Sequence, residues 1–152
     1  MKENEDGFTL LEILLVLMIV SMLVLFPVIK MKNTIETIQI DLFFRELTAK
    51  ITQYQTHAML GGQDVEIRFM PETQEIYFSK REEGTETLLE EEIWKLDSPY
   101  YEITKGPGKR IGFKEHTGNI TNAGFVPFKT IEGRYRLYHQ MGSGRFDIRE
   151  EE

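Results

Sequence analysis

The sequence predicts an α+β fold with one long amino-terminal helix packed on an antiparallel β-sheet, and three observations predict it. Residues 8–29 form an apolar run, an apolar stripe at helical spacing continues to Leu60, and beyond Gly61 and Gly62 come short alternating segments separated by glycines. The 152 residues suit a single domain, since about 120 remain once the apolar amino terminus is set aside. A formal net charge of −7 argues against a chain that binds nucleic acid through its overall charge, and the absence of cysteine excludes disulfides and thiolate metal sites.

The first element is the apolar run. From Phe8 to Ile29, 18 of 22 residues are apolar, interrupted by Thr9, Glu12, Ser21 and Pro27. As a helix it reaches about 33 Å, enough to span a bilayer. A cleaved secretory signal needs a basic start, a shorter apolar stretch and a small-x-small cleavage site. Residues 1–7 instead carry one Lys against three acids, and LFPVIKMK offers no such site. A plain signal anchor is the simpler alternative. Lys30 and Lys32 follow the run while only Lys2 precedes it, so basic charge alone favours an amino terminus outside the cell. Val16, Met18, Ile19, Met22, Leu23 and Leu25 leave the helix no polar face, which suits lipid or a bundle of like helices. Pro27 lacks a backbone donor and predicts a kink or a tolerated break near the outer end.

Glu12 is the anomaly of this segment. A carboxylate at the centre of a bilayer helix costs about 2.5–3.5 kcal/mol and is expected to have a partner and a task. Its local alternatives are to snorkel to the interface or to meet an amine one turn away on its own helix.

The second element continues the helix. Ile35, Ile38, Leu42, Phe44, Leu47, Ile51, Tyr54 and Ala58 recur at spacings of three and four apart from a two-residue step at Phe44, predicting an amphipathic extension over 30–60. Unbroken from Phe8, the helix would be about 80 Å long. Gly61 and Gly62 supply the backbone that ends it. Residues 61–152 then read as a β-rich domain. DVEIRFM puts Val65, Ile67 and Phe69 on one side, and QEIYFSK follows across a turn at Pro71 to Thr73, a hairpin signal. TLLEEEIWKL and YYEIT are weaker strands, and RIGFKE, GFVPFKT, RYRLYHQ and RFDIR alternate again. Tyr135, Leu137, Phe146 and Ile148 share the predicted buried face of a terminal hairpin around MGSG.

Chemistry-bearing patterns are few. His57, His116 and His139 are far apart, and no metal spacing, nucleophile elbow or phosphate-binding loop occurs, so neither an enzyme nor a cofactor or metal site is predicted. TKGPGKRIGFK carries Lys105, Lys109, Arg110 and Lys114 with no acid among them. A glycine-proline loop with four cations beside Phe113 is a candidate DNA contact, through phosphates and a stacked base. The competing reading is a solvated loop that answers the acid block Glu82 to Glu92.

GFTLLE, Gly7 to Glu12, followed by the apolar stretch, resembles the processing motif of type IV pilins and pseudopilins. The resemblance implies a prepilin leader at 1–7, cut after Gly7 by prepilin peptidase on the cytoplasmic side, with methylation of the new amino terminus at Phe8. It implies a single membrane span with the amino terminus inside, followed by transfer to the cell surface in a filament. Glu12 of one subunit would pair with the Phe8 nitrogen of a neighbour, two charges that each lack a partner in lipid. Partners would be other minor pilins, the major pilin and the assembly platform membrane protein, with ATP hydrolysed by a separate motor. The glycine-punctuated end YRLYHQMGSGRFDI resembles the minor pilins of Gram-positive competence systems, notably ComGD-like proteins, and more distantly the H-type pseudopilins of type II secretion. That resemblance implies a role in DNA uptake. The alternatives are a type II secretion pseudopilin, or a membrane-anchored module that binds DNA or protein without polymerising.

Overall fold

The computed structural model describes residues 9–82 and 88–151, except for the side chains of 26–33. It contains one helix, α1 (Leu10–Gly61), and eight strands: β1 (Asp64–Met70), β2 (Glu75–Arg81), β3 (Leu88–Lys95), β4 (Tyr101–Ile103), β5 (Arg110–Phe113), β6 (Gly124–Thr130), β7 (Arg134–His139) and β8 (Phe146–Glu151). By its contacts the chain divides into two units, residues 1–38 and 39–152. The described part of the first unit is helix alone, and its large apolar side chains from Leu10 to Leu25 are exposed.

In the second unit a single sheet was expected and two are found. The first has the order β3-β2-β1-β5 and the second β4-β6-β7-β8, with every pairing antiparallel. The predicted β1–β2 hairpin is present, with Ile67 opposite Phe78 and its turn carried to Gln74, which takes a φ of 56°. The terminal hairpin pairs Leu137 with Ile148 and His139 with Phe146. Gly142 in its loop has a φ of 80°, a left-handed conformation that a side chain adopts only with strain.

One core serves both sheets. Residues 39–61 of α1 bury Ile40, Phe43, Leu47, Ile51, Tyr54 and Ala58, at spacings of three and four. Phe43 stacks on Tyr101 of β4 at 4.0 Å and lies 5.7 Å from Trp94 of β3, while Tyr54 stacks on Phe78 of β2 at 4.8 Å. Phe69 of β1 meets Phe128 of β6 edge-on at 6.2 Å, so the sheets also touch each other directly. The helix ends as Gly61 and Gly62 predict: Gly62 has a φ of 60°, and the His116 N–H donates to the Ala58 carbonyl at 2.9 Å.

The predicted stripe is correct from Leu47 onward and out of phase before it. Ile35, Ile38 and Leu42 are exposed, whereas Ile40 and Phe43 are buried and Phe44 packs partly against the core. The two-residue step at Phe44 marked that error, because Ile40–Phe43–Leu47 carries the spacing without interruption.

Three polar stitches join the sheets. The Gln74 side-chain amide donates to the Ile103 carbonyl at 2.9 Å and accepts from the Ile103 N–H at 2.8 Å, imitating a strand neighbour. The Phe69 N–H donates to Lys109 O at 2.8 Å, and the Gly108 N–H to Phe125 O at 3.0 Å. Gly108 is tied there by contact, since a Cβ would lie 2.3 Å from Phe125 O. Asn122 accepts from the Gly112 N–H at 3.0 Å and donates to Arg110 O at 2.7 Å, and its amide nitrogen lies 3.3 Å from His139 Nε2 on β7.

Candidate functional site

The amino-terminal candidates begin where the helix begins. Thr9 caps it: the Glu12 N–H donates to Thr9 O at 3.1 Å and to Thr9 Oγ1 at 3.3 Å, and the Ile13 N–H donates to Thr9 O at 3.2 Å. Thr9 and Glu12 therefore have the Thr-x-x-Glu spacing of a capping box, with Glu12 at the third helical position. A carboxylate in the first turn also meets the positive end of the helix dipole. Glu12 is exposed, and among the described residues no cation pairs with it. Gly7, Phe8 and the leader 1–7 lie outside the described residues.

The expected span 8–29 is only partly described. Backbone helix runs through Pro27, but the described apolar side chains extend from Leu10 to Leu25. Among the described residues no helix is long and apolar enough to cross a membrane.

The four cations of the 105–114 segment do not converge. Lys105 is exposed and lies 3.8 Å from Glu72. Lys109 and Arg110 are exposed, and Arg110 lines a concavity of about 460 Å³ with Asp64, Glu66, Arg81 and Lys114. Lys114 pairs with Glu115 and lies 3.9 Å from Asp64. Hydrogen bonds from Asp64 and Lys114 pull the Glu115 carboxyl down to about 2, while burial, joined by the hydrogen bond to Glu115, pushes the Asp64 carboxyl up. As pH falls, Asp64 is thus the first of the two carboxyls to take a proton and Glu115 the last. Phe113 is 1% exposed, so the expected base stacking on it is ruled out: the alternation of β5 turns Ile111 and Phe113 into the core.

Of the acid block, Glu90, Glu91 and Glu92 pair elsewhere. Glu90 pairs with Lys80 at 2.7 Å, Glu91 with Arg68 at 2.7 Å, and Glu92 with Lys50. Glu92 also accepts from the Tyr54 hydroxyl at 2.8 Å. The Lys50 hydrogen bond lowers the Glu92 carboxyl, and burial, with the bond to Glu92, raises Tyr54 above its ordinary range. These are contacts of cross-strand neighbours and of the helix above them, which linear charge blocks do not reveal.

Sequence reasoning missed the outward face of the second sheet. Phe125, Pro127 and Lys129 of β6, Arg134, Arg136 and Tyr138 of β7, and Asp147, Arg149 and Glu151 of β8 share that face by register, opposite the buried Val126, Phe128 and Leu137 and the half-buried Tyr135, Phe146 and Ile148. Period-two alternation in GFVPFKT and RYRLYHQ was the available signal. Among the described residues no cluster of three or more His, Cys, Asp or Glu is placed to hold a metal ion.

Residues 3–26 match the prokaryotic N-terminal methylation motif. Among curated proteins none matches the chain. Among solved structures, the minor pseudopilin EpsH from the type 2 secretion system of Vibrio cholerae matches with a TM-score of 0.51 at 11% identity, covering 72% of this chain and 95% of that one. That likeness is one of fold: an amino-terminal helix on antiparallel sheets. The chain thus carries a prokaryotic N-terminal methylation motif at its start and, behind it, a fold similar to that of a minor pseudopilin.

Proposed function

We propose that the chain is a minor pilin subunit of a competence-type filament that takes up DNA, cut by prepilin peptidase between Gly7 and Phe8 and methylated on the Phe8 nitrogen. The observation that carries the pilin part of this reading is the methylation motif at residues 3–26 on a chain with a pseudopilin-like fold, and the DNA-uptake part rests on the resemblance of YRLYHQMGSGRFDI to competence minor pilins. Before cleavage Glu12 is a carboxyl in an apolar helix without a counterion. Cleavage makes the Phe8 nitrogen a cation, and pairing it with the Glu12 of a neighbouring subunit converts two unfavourable desolvations into one attraction that sets axial register. Association in lipid gains little from hydrophobicity, so packing and this charge pair must supply it.

In this reading the chain is anchored in the cytoplasmic membrane with its amino terminus inside, then passes to the cell surface in the filament. Its partners are other minor pilins, the major pilin, prepilin peptidase and the assembly platform. It is a substrate of the peptidase and has no catalytic residues of its own. The fold likeness to a type 2 secretion pseudopilin favours a second reading, in which the filament serves secretion. Intact-mass measurement after co-expression with prepilin peptidase tests the assignment. Loss of the seven residues Met1 to Gly7 plus gain of one methyl is expected, and an unprocessed chain overturns it in favour of a plain anchor. Deletion in the host then separates the two readings, since loss of transformation marks uptake and loss of secreted protein marks secretion.

A further inference from the structure

We propose that the outward face of the β4-β6-β7-β8 sheet binds single-stranded nucleic acid, with Phe125 and Tyr138 as the stacking platform, Arg134 and Arg145 as the free phosphate contacts, and the exposed Lys105 beside them. This deepens the DNA-uptake reading above and rests on it for its context, although binding is a property of the single chain and needs no filament.

Three observations converge on this face. The first is aromatic: Phe125 and Tyr138 sit opposite each other on β6 and β7 with ring centroids 5.7 Å apart, and both are only partly buried. Guanidinium groups extend the row at each end, Arg136 over the Phe125 ring at 4.6 Å and Arg149 over the Tyr138 ring at 5.7 Å. Planar π-faces bracketed by arginines are what unstacked bases pack on, and every base offers such a face.

The second observation is charge. Lys105, Lys129, Arg134, Arg136, Arg145 and Arg149 gather on this face and its two rims in a chain whose net charge is −7. Three acids share the face and each is engaged: Glu102 with Lys129 at 3.3 Å, Asp147 with Arg149 at 2.8 Å, and Glu151 with Arg136. Among the described residues Arg134 and Arg145 pair with no carboxylate, and Lys105, 3.8 Å from Glu72, is still 79% exposed. The excess of cations is therefore available to a polyanion, and acids this well paired do not repel one.

The third is shape. One concavity of about 350 Å³ gathers Lys105, Lys129, Arg134 and Arg136 around Phe125, and another of about 410 Å³ gathers Arg145 and Arg149 beside Tyr138. They flank the aromatic pair and make one tract across the sheet. Alternate residues of a strand are about 6.6 Å apart, comparable with successive phosphates of an extended single strand. A duplex hides its base faces in the stack, so this arrangement selects the single strand over the double. An acidic peptide would use the cations but leave the rings unused.

The test is fluorescence anisotropy of the full chain in detergent micelles with a labelled single-stranded oligonucleotide of about 20 residues, long enough to cover one sheet face. Binding is expected to weaken about twentyfold between about 50 and about 200 mM salt, the loss for some three released counterions. Arg134→Ala combined with Arg145→Ala should weaken binding at least tenfold with a shallower salt dependence. Tyr138→Ala should weaken the single strand at least fivefold and leave residual duplex binding unchanged, and Tyr138→Phe should restore it. Alanine at Lys109 and Arg110 should leave affinity within twofold. The proposal is overturned by absence of binding at the lower salt, by equal affinity for duplex, by full competition from poly-glutamate, or by loss at Lys109 and Arg110 instead. A chain that is processed normally yet binds no strand refutes this surface and leaves the filament reading standing.

Discussion

In the reading proposed above, Glu12 serves two ends within one turn of helix. As the third residue after the Thr9 cap it is placed to complete a capping box, which either Glu or Gln can do; as a charge it is placed to meet an amine, which only Glu can do. Glu12→Gln therefore separates the two. The helix and its processing should persist, while incorporation into filaments falls at least tenfold, because a cation left alone in an apolar bundle costs several kcal/mol. Unchanged filament yield on immunoblots of sheared cells would refute the charge pair. His139 makes a second residue-scale prediction. It is 2% exposed, its Nε2 faces the Asn122 amide, and burial lowers its pKa. The sign follows: the folded chain holds the neutral ring, so its contribution is whole above the unfolded pKa of about 6.5 and is lost as pH falls through the lower folded value, where only the unfolded chain gains a proton at first. The lowered carboxyls of Glu92 and Glu115 act further down, below about 4.5. Denaturant midpoints should thus decline between about pH 6.5 and 5, and His139→Gln should flatten that limb.

At the scale of elements, the helix is fixed by its buried stripe more than by its composition. Leu47 is wholly buried among both sheets while Leu42, five residues earlier, is exposed. Leu47→Ala is expected to cost about 3 kcal/mol and Leu42→Ala less than about 0.5 kcal/mol, measured by urea unfolding followed through Trp94. Equal costs would mean that the helix packs in the phase that the sequence suggested. What was legible follows the same logic. The β1–β2 hairpin and the terminal hairpin were readable because Val65, Ile67 and Phe69, or Leu137 and Ile148, alternate against polar neighbours over whole strands. The division into two sheets was not, because it rests on contacts distant in sequence: Gln74 with Ile103, and Asn122 with both Gly112 and His139. Of the candidate sites, Gly7 to Glu12 is legible as a motif because its residues are contiguous, and it falls within the matched residues 3–26. The cations of 105–114 misled for the opposite reason: a linear run was taken as a patch, whereas the strand sends Phe113 inward and Lys114 toward Glu115.

For residues 39–152 the deciding question is whether two sheets behave as one body. Phe43, Leu47, Phe69 and Phe128 belong to one buried cluster drawn from the helix and both sheets, so neither sheet retains a covered face without the other. The polar stitches act on top of that burial. Gln74 is the most exacting, since its amide satisfies both the N–H and the C=O of Ile103 while its backbone holds a left-handed φ of 56°. Gln74→Gly relieves the backbone conformation and removes the amide, so any loss it causes reports the stitch. The expected loss is about 1–2 kcal/mol, the cost of removing this partner from the Ile103 N–H and C=O and from the Pro71 C=O, to which the amide also donates at 2.7 Å. Because the core is shared, the loss should appear as a lower midpoint in a transition that stays single. Trp94 fluorescence reports the first sheet, and protection of β6 and β7 amides in hydrogen exchange reports the second. In wild type and variant alike the two probes should give the same unfolding free energy. Protection of the second sheet that outlasts loss of the Trp94 signal would show that the sheets fold separately, and that Gln74 merely tethers them.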